Sequence, residues 1–282
     1  MNPDFELSFE FFPPKTEQGL ANLLATQQAL APLNPRFFSV TFGAGGTTRE
    51  RTLETILALR EQDDRIECAP HLSCIGSTRD EIRAILQTYI DHGIRHLVAL
   101  RGDMPSGMME PRDFSYASEL VAFIREQTGD HFHIEVAAYP EFHPQARSAF
   151  SDLDWFAHKV RQGANGAITQ YFYNADAYFA FMEDCARRRI DIPVVPGIMP
   201  ITNHVQLARF SDACGAEIPR WIRKRLEAYG DDMDSLRAFG TEVVTRMCER
   251  LIAGGAPGLH FYTMNRAEPS AGICRALGLG RA

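Results

Sequence analysis

The sequence predicts an α/β protein built as a (β/α)8 TIM barrel with additional helices before the eighth strand. Three observations carry that prediction. Eight short apolar runs recur along the chain, helix-length stretches separate them, and the 282 residues, 45% of them hydrophobic, suffice for one large core. The runs occupy residues 8–12, 37–42, 68–72, 96–101, 133–139, 166–172, 194–199 and 260–264, and their Phe, Val, Ile, Thr and Tyr content suits pleated packing. Several are continuously apolar, as expected of parallel strands covered by helices. Helices are expected between them at 17–31, 48–61, 78–92, 115–127, 146–162, 175–188 and 205–213, lengths that suit right-handed crossovers. Before the last run the spacing widens to admit two more helices, 219–229 and 235–253, with Gly230-Asp231-Asp232 as the break. No short repeat persists, which argues against a solenoid and for one closed barrel domain over residues 1–282. A doubly wound sheet is the fold-level alternative.

Composition narrows the class of partner. With 29 basic and 36 acidic residues the formal charge is -7, so no broad electropositive field is offered to nucleic acid or an anionic membrane. No apolar stretch approaches the roughly 20 residues of a membrane span. Six cysteines without dense spacing, and no basic leader, make reduced thiols and a cytoplasmic location the simpler expectation.

Barrel geometry gathers the C-terminal strand ends around one crevice, and several polar residues fall there. Glu10 interrupts Phe9, Phe11 and Phe12. An aromatic setting would disfavour its ionisation and suit a general acid; a solvent-facing or ion-paired carboxylate is the plainer alternative. Asp103 follows the turn-forming Gly102 and either approaches a ligand or caps its loop and pairs with Arg101. Thr41 and Gln170 lie near other strand ends, with local hydrogen bonding as the competing role. The segment Gly43-Ala44-Gly45-Gly46-Thr47-Thr48 suits an anion at a helix start but equally an ordinary turn. Cys68, His71 and Cys74 resemble a metal set only superficially, because strand alternation turns His71 away from both cysteines; no metal is expected. In Tyr139-Pro140-Glu141-Phe142-His143-Pro144 the prolines build a rigid loop.

Taken together, Phe9-Glu10-Phe11-Phe12-Pro13-Pro14-Lys15, Ser39-Val40-Thr41, Ala69-Pro70-His71-Leu72 and Ala99-Leu100-Arg101-Gly102-Asp103 resemble the catalytic domain of methylenetetrahydrofolate reductases. The resemblance continues through Ala138-Tyr139-Pro140-Glu141, Ile168-Thr169-Gln170-Tyr171-Phe172, Pro196-Gly197-Ile198-Met199-Pro200 and His260-Phe261-Tyr262-Thr263-Met264-Asn265-Arg266. It implies an FAD-bearing barrel in which NADH or NADPH reduces the flavin, and the reduced flavin then reduces methylenetetrahydrofolate to 5-methyltetrahydrofolate. It also implies a homo-oligomer, a tetramer in related proteins.

The same resemblance implies residue roles. Glu10 matches the folate acid and Asp103 the carboxylate associated with flavin and folate. Thr41, His71, Arg101, Tyr139, His143, Asp152 and Lys159 match FAD-binding positions, with Arg101 and Lys159 suited to the phosphates. Gln170, Phe210, Met264 and Arg266 match substrate-contacting positions, Phe210 as an aromatic platform. His204 stands where some related chains carry an aromatic residue. A metal-assisted aldolase and a noncatalytic binding barrel are the competing functional classes at the level of fold alone.

Overall fold

A computed structural model of the chain describes residues 5–42, 46–103 and 112–280. Strands and helices alternate in the order β1 (Glu6–Phe11), α1 (Glu17–Leu30), β2 (Phe37–Val40), α2 (Gly46–Gln62), β3 (Glu67–Ser73), α3 (Arg79–Asp91), β4 (His96–Leu100), α4 (Ala117–Thr128), β5 (His133–Ala138) and α5 (Ala149–Arg161). There follow β6 (Gly166–Thr169), α6 (Ala175–Arg187), β7 (Val194–Val195), β8 (Gly197–Ile198), α7 (His204–Cys214), α8 (Arg220–Tyr229), α9 (Met233–Ala253), β9 (Gly258–Tyr262) and α10 (Ala267–Ala276).

Each strand pairs parallel with its neighbours, in the order β7-β6-β5-β4-β3-β2-β1-β9-β8. The two ends of that order are halves of one stretch: β7 pairs β6, β8 pairs β9, and only Pro196 separates them. Residues 194–198 therefore close the ring, giving the predicted eight strand positions. Pro196 has no N–H for a ladder, which splits the expected seventh strand, while its carbonyl accepts from the His260 amide at 3.0 Å. The inserted α8 and α9 lie where the sequence places them. Two expectations are corrected. Helix α5 begins at Ala149 rather than 146, because Ser148 Oγ caps it by accepting from the Ser151 amide at 3.1 Å; and α10, which the sequence reading did not anticipate, packs on α1 and α9. The glycine-rich segment at 43–45 lies outside the described residues, as do the side chains of 46–48. Among the described residues no helix is long and apolar enough to cross a membrane.

Alternation along the strands sorts two cores. Phe9, Phe11, Phe38 and Phe261 face outward into the helix layer, their rings 5.3–6.1 Å apart as Phe11–Phe38 and Phe9–Phe38, with Phe9–Phe261 at 5.6 Å. Cys68 and Cys74 belong to the same outer core, so the expected opposition to His71 is what the strand produces. Inside the barrel a second, smaller cluster of Phe37, Ala69, Val98 and Ile168 forms an apolar tier. The Phe37 ring centroid lies 5.9 Å from that of His260 on one side and 4.3 Å from that of His96 on the other.

Helix starts are well specified. Thr78 and Glu81 form a reciprocal box ahead of α3: the Glu81 amide donates to Thr78 Oγ1 at 3.2 Å, and the Thr78 amide to Glu81 Oε2 at 2.8 Å. We expect Thr78→Ala to lower unfolding stability by about 1–2 kcal/mol without changing the fold, measured by denaturant melts at constant m.

Candidate active site

At the C-terminal ends of the strands the barrel opens into a cleft of about 1380 Å³. Twelve of the thirteen predicted site residues line it: Glu10, Thr41, His71, Arg101, Asp103, Tyr139, His143, Asp152, Lys159, Gln170, Phe210 and Met264. Arg266 does not. It lines an adjoining pocket of about 90 Å³ that shares Tyr262 and Met264 with the cleft.

One end of the cleft is organised around Glu10. Register pairs Glu10 with Ser39 on β2 and Tyr262 on β9, so all three face the interior. The Glu10 side chain is 10% exposed, with Oε2 3.4 Å from His71 Nε2 and 3.7 Å from His260 Nε2. This revises the aromatic setting expected from sequence: Phe9 and Phe11 point the other way, Phe12 reaches only the cleft lining, and two imidazoles are the polar groups beside the carboxylate. Burial pushes the His71 imidazole below its ordinary range, against the attraction of Glu10 and with repulsion from His260. His260 is oriented from behind, its Nδ1 lying 2.7 Å from Ser8 Oγ. The Tyr262 hydroxyl, pushed well above its usual range by burial, donates to the Thr169 carbonyl at 2.7 Å.

The opposite end carries cations. Lys159, on α5, reaches inward so that Nζ donates to the Ala137 carbonyl at 2.5 Å, and burial pushes its ammonium down to about 8. Arg101 follows β4; its Nη2 donates to Gln145 Oε1 at 2.8 Å and its Nε to the Gly102 carbonyl at 3.2 Å, so the alternative pairing with Asp103 is not what holds it. Gly102 turns with φ +83, and a Cβ there would lie 2.9 Å from Ser73 Cβ, which admits only glycine. Asp103 is exposed at the rim. Asp152 Oδ2 accepts from the His143 amide at 3.0 Å, and the Tyr139 and His143 rings meet edge-on at 4.7 Å. Burial, then Arg101, lowers the His143 imidazole, while burial raises the Tyr139 phenol to about 12.

Between the ends, the Thr41 carbonyl accepts from Thr52 Oγ1 at 2.9 Å, and the Gln170 amide donates to the Ala138 carbonyl at 2.8 Å, fixing both strand ends. Gln170 Oε1 accepts from the Tyr171 amide at 3.1 Å, leaving its NH₂ for a ligand.

Four contributors escaped the sequence reading. His260 and Tyr262 alternate on the strand that reading identified, so period-two facing was the available signal. Tyr116 and Trp155 stack at 5.3 Å and 13° on the cleft wall although each is about half exposed, a contact between α5 and the residue preceding α4 that no sequence spacing announces.

A family model described as methylenetetrahydrofolate reductase matches residues 2–278. The chain is 42% identical over 273 residues to the 5,10-methylenetetrahydrofolate reductase of Salmonella typhimurium, covering 97% of this chain and 90% of that protein. The Escherichia coli protein of the same name gives the same identity and coverage, 42% over 273 residues, 97% and 90%. Among solved structures, a Clostridium thermocellum protein described as binding two copies of 5-methyl-5,6,7,8-tetrahydrofolic acid superposes with a TM-score of 0.67 at 16% identity, over 96% of this chain and 94% of that one, a likeness of fold.

Proposed function

The chain belongs to the methylenetetrahydrofolate reductase family, and from that premise we propose that it reduces 5,10-methylenetetrahydrofolate to 5-methyltetrahydrofolate, with FAD held in the cleft and NADH or NADPH as electron donor. The observation that supports this reading best is the polarity of the cleft, which joins a buried carboxylate between two imidazoles to a bay lined by Arg101 and Lys159.

The cationic bay fits the diphosphate of a dinucleotide. The Lys159 ammonium is half-buried and depressed to about 8, a cost that a bound anion offsets, and Arg101 beside it offers planar donors. Asp152 suits a ribose hydroxyl, and Thr41, His71, Tyr139 and His143 complete the wall. Bound there, FAD supplies hydride chemistry between nicotinamide and folate.

The chain's own residues do the rest. Glu10 Oε2 holds the proton that goes to a folate nitrogen as the one-carbon bridge opens. The two Nε2 atoms beside it then face the carboxylate left behind. The hydrogen bond between Ser8 Oγ and His260 Nδ1 holds the ring so that Nε2 lies on the Glu10 side, 3.7 Å from Oε2. Gln170 orients the substrate through its free amide hydrogens, Phe210 and Met264 supply apolar faces, and Asp103 places negative charge at the rim.

The deciding experiment follows flavin absorbance anaerobically in the purified chain. Reduced nicotinamide should bleach bound FAD, and methylenetetrahydrofolate should restore the colour with formation of 5-methyltetrahydrofolate. Protein that keeps FAD and is reduced, yet is not reoxidised by that folate, would rule out the substrate. Arg101→Ala or Lys159→Ala should weaken FAD binding by about 1–3 kcal/mol, with activity partly restored by excess FAD. Because the Lys159 charge is present below about pH 8 and lost above it, wild-type FAD affinity should fall as pH rises through 8, and this slope should flatten in Lys159→Ala. Equal FAD titrations of both variants and wild type would refute the phosphate assignment.

A further inference from the structure

A second polar cluster occupies the other end of the barrel. Strands β4 and β5 start side by side with His96 opposite His133, and Glu135 faces the same interior one pleat further on. Glu135 Oε1 lies 3.0 Å from His133 Nε2 and 3.7 Å from His96 Nε2, and one ligand atom from each residue falls within 4.8 Å of the others. A tetrahedral zinc ion with bonds of about 2.0–2.2 Å spaces its ligands by roughly 3.3 Å, inside that range.

Four further observations point to an occupant. His96 and Glu135 are 1% and 6% exposed, yet His96 Nε2 and Glu135 Oε2 have no hydrogen-bond partner. Buried polar atoms left so are costly, and these two belong to adjacent ligand groups. Glu67 Oε2 lies 3.3 Å from His96 Nδ1, the position of the outer carboxylate that fixes a metal-bound imidazole: with Nδ1–H on Glu67, Nε2 presents its lone pair to the cluster. Gly166 on β6 makes the room, since a Cβ there would lie 2.4 Å from Glu135 Oε2. The His133 side chain is 32% exposed, which leaves an entry path and a fourth position for water.

We propose that His96, His133 and Glu135 form a structural site for a divalent transition cation, Zn²⁺ foremost, that ties β4 to β5 at the N-terminal end of the barrel. Two imidazoles and one carboxylate are a borderline donor set that suits Zn²⁺ over Mg²⁺ or Ca²⁺. The site stands apart from the cleft, so its occupancy should register in stability rather than in turnover.

The test takes the full-length, flavin-loaded chain, strips it with chelator, and titrates it with Zn²⁺ by calorimetry and with Co²⁺ by visible absorption. The wild type should take up one ion, develop cobalt ligand-field bands and melt at a higher temperature with Zn²⁺. His133→Ala, at a partly exposed position, should lose about tenfold or more in affinity, and Glu135→Gln at least as much, with flavin reduction and reoxidation unchanged in both. Mg²⁺ should not reproduce the thermal shift. Absence of binding in the folded wild type overturns the proposal, and so does Zn²⁺ binding that persists undiminished in both variants, because other residues would then be the ligands.

Discussion

Replacing Glu10 by Gln should leave nicotinamide-dependent flavin reduction near the wild-type rate while slowing folate-dependent reoxidation by about a hundredfold to ten-thousandfold, the usual worth of a positioned proton donor. Gln keeps the size and a hydrogen-bonding amide, so it preserves the seat between His71 and His260 and removes only the ionisable proton. The partners make the comparison clean. The Glu10 main chain is fixed independently, its carbonyl accepting from Thr263 Oγ1 at 2.6 Å, so the substitution does not loosen β1. Stopped-flow traces of the two half-reactions decide the matter. Unaltered reoxidation at saturating folate removes Glu10 from proton transfer, whereas equal slowing of both traces assigns it to flavin placement. His260→Gln serves as a positioning control: it should slow reoxidation less than Glu10→Gln and displace the pH profile of that step.

The second large effect is structural. Gly197→Ala should destabilise the fold by about 3 kcal/mol or more and lower the melting temperature by roughly 6–12 °C, because a backbone-lined space cannot relax around a new methyl group. A Cβ at Gly197 would lie 2.1 Å from the Thr169 carbonyl oxygen and 2.6 Å from the Tyr262 ring. That carbonyl accepts the Tyr262 hydroxyl, and the Gly197 amide donates to Thr169 Oγ1 at 2.9 Å, so one methyl group disturbs ring closure and the cleft wall together. Gly272→Ala in α10 is the matched control. Its nearest neighbours, Arg275 Nη2 and Glu268 Oε1, both stand 3.8 Å away, and helix propensity predicts a gain of about 0.5–1 kcal/mol. Thermal melts of the two variants side by side test the contrast; a Gly197→Ala midpoint equal to wild type would show that the closure tolerates the methyl group.

The barrel was legible because its strands are short apolar runs separated by helix-length spacers, and those signals are local. The division of the seventh strand at Pro196 was visible in principle, since proline cannot donate to a ladder. Helix α10 was hidden by Pro269 in its first turn, where a missing N–H costs little because that turn's amides have no intrahelical acceptor. At the site, family resemblance marked Glu10, Asp103 and Gln170, and the residues of the cationic bay, but not what surrounds them. Neighbours in sequence suggested phenyl rings around Glu10; alternation sends Phe9 and Phe11 outward, and groups 61 and 250 positions away in the chain, His71 and His260, arrive instead. Within the cluster of Glu67, His96, His133 and Glu135 only His133 and Glu135 are near in sequence, two apart on one strand face; Glu67 and His96 join them through the parallel pairing of β3, β4 and β5, which no local spacing announces. Arg266 shows the converse: it follows Met264 closely in sequence, yet stands at the N-terminal boundary of α10 and lines the neighbouring pocket.

The apolar tier of Phe37, Ala69, Val98 and Ile168 gives the cleft a floor without donors or acceptors on its side chains. The chain of polar groups that runs from Glu10 through His260 to Ser8 stops there, at the strand position paired with Phe37. On the proposed role of Glu10, that tier offers no described side chain to relay the proton it gives to folate, so the proton's return is by the mouth, the opening through which reduced folate leaves. Recharging the acid and vacating the site thus share one doorway.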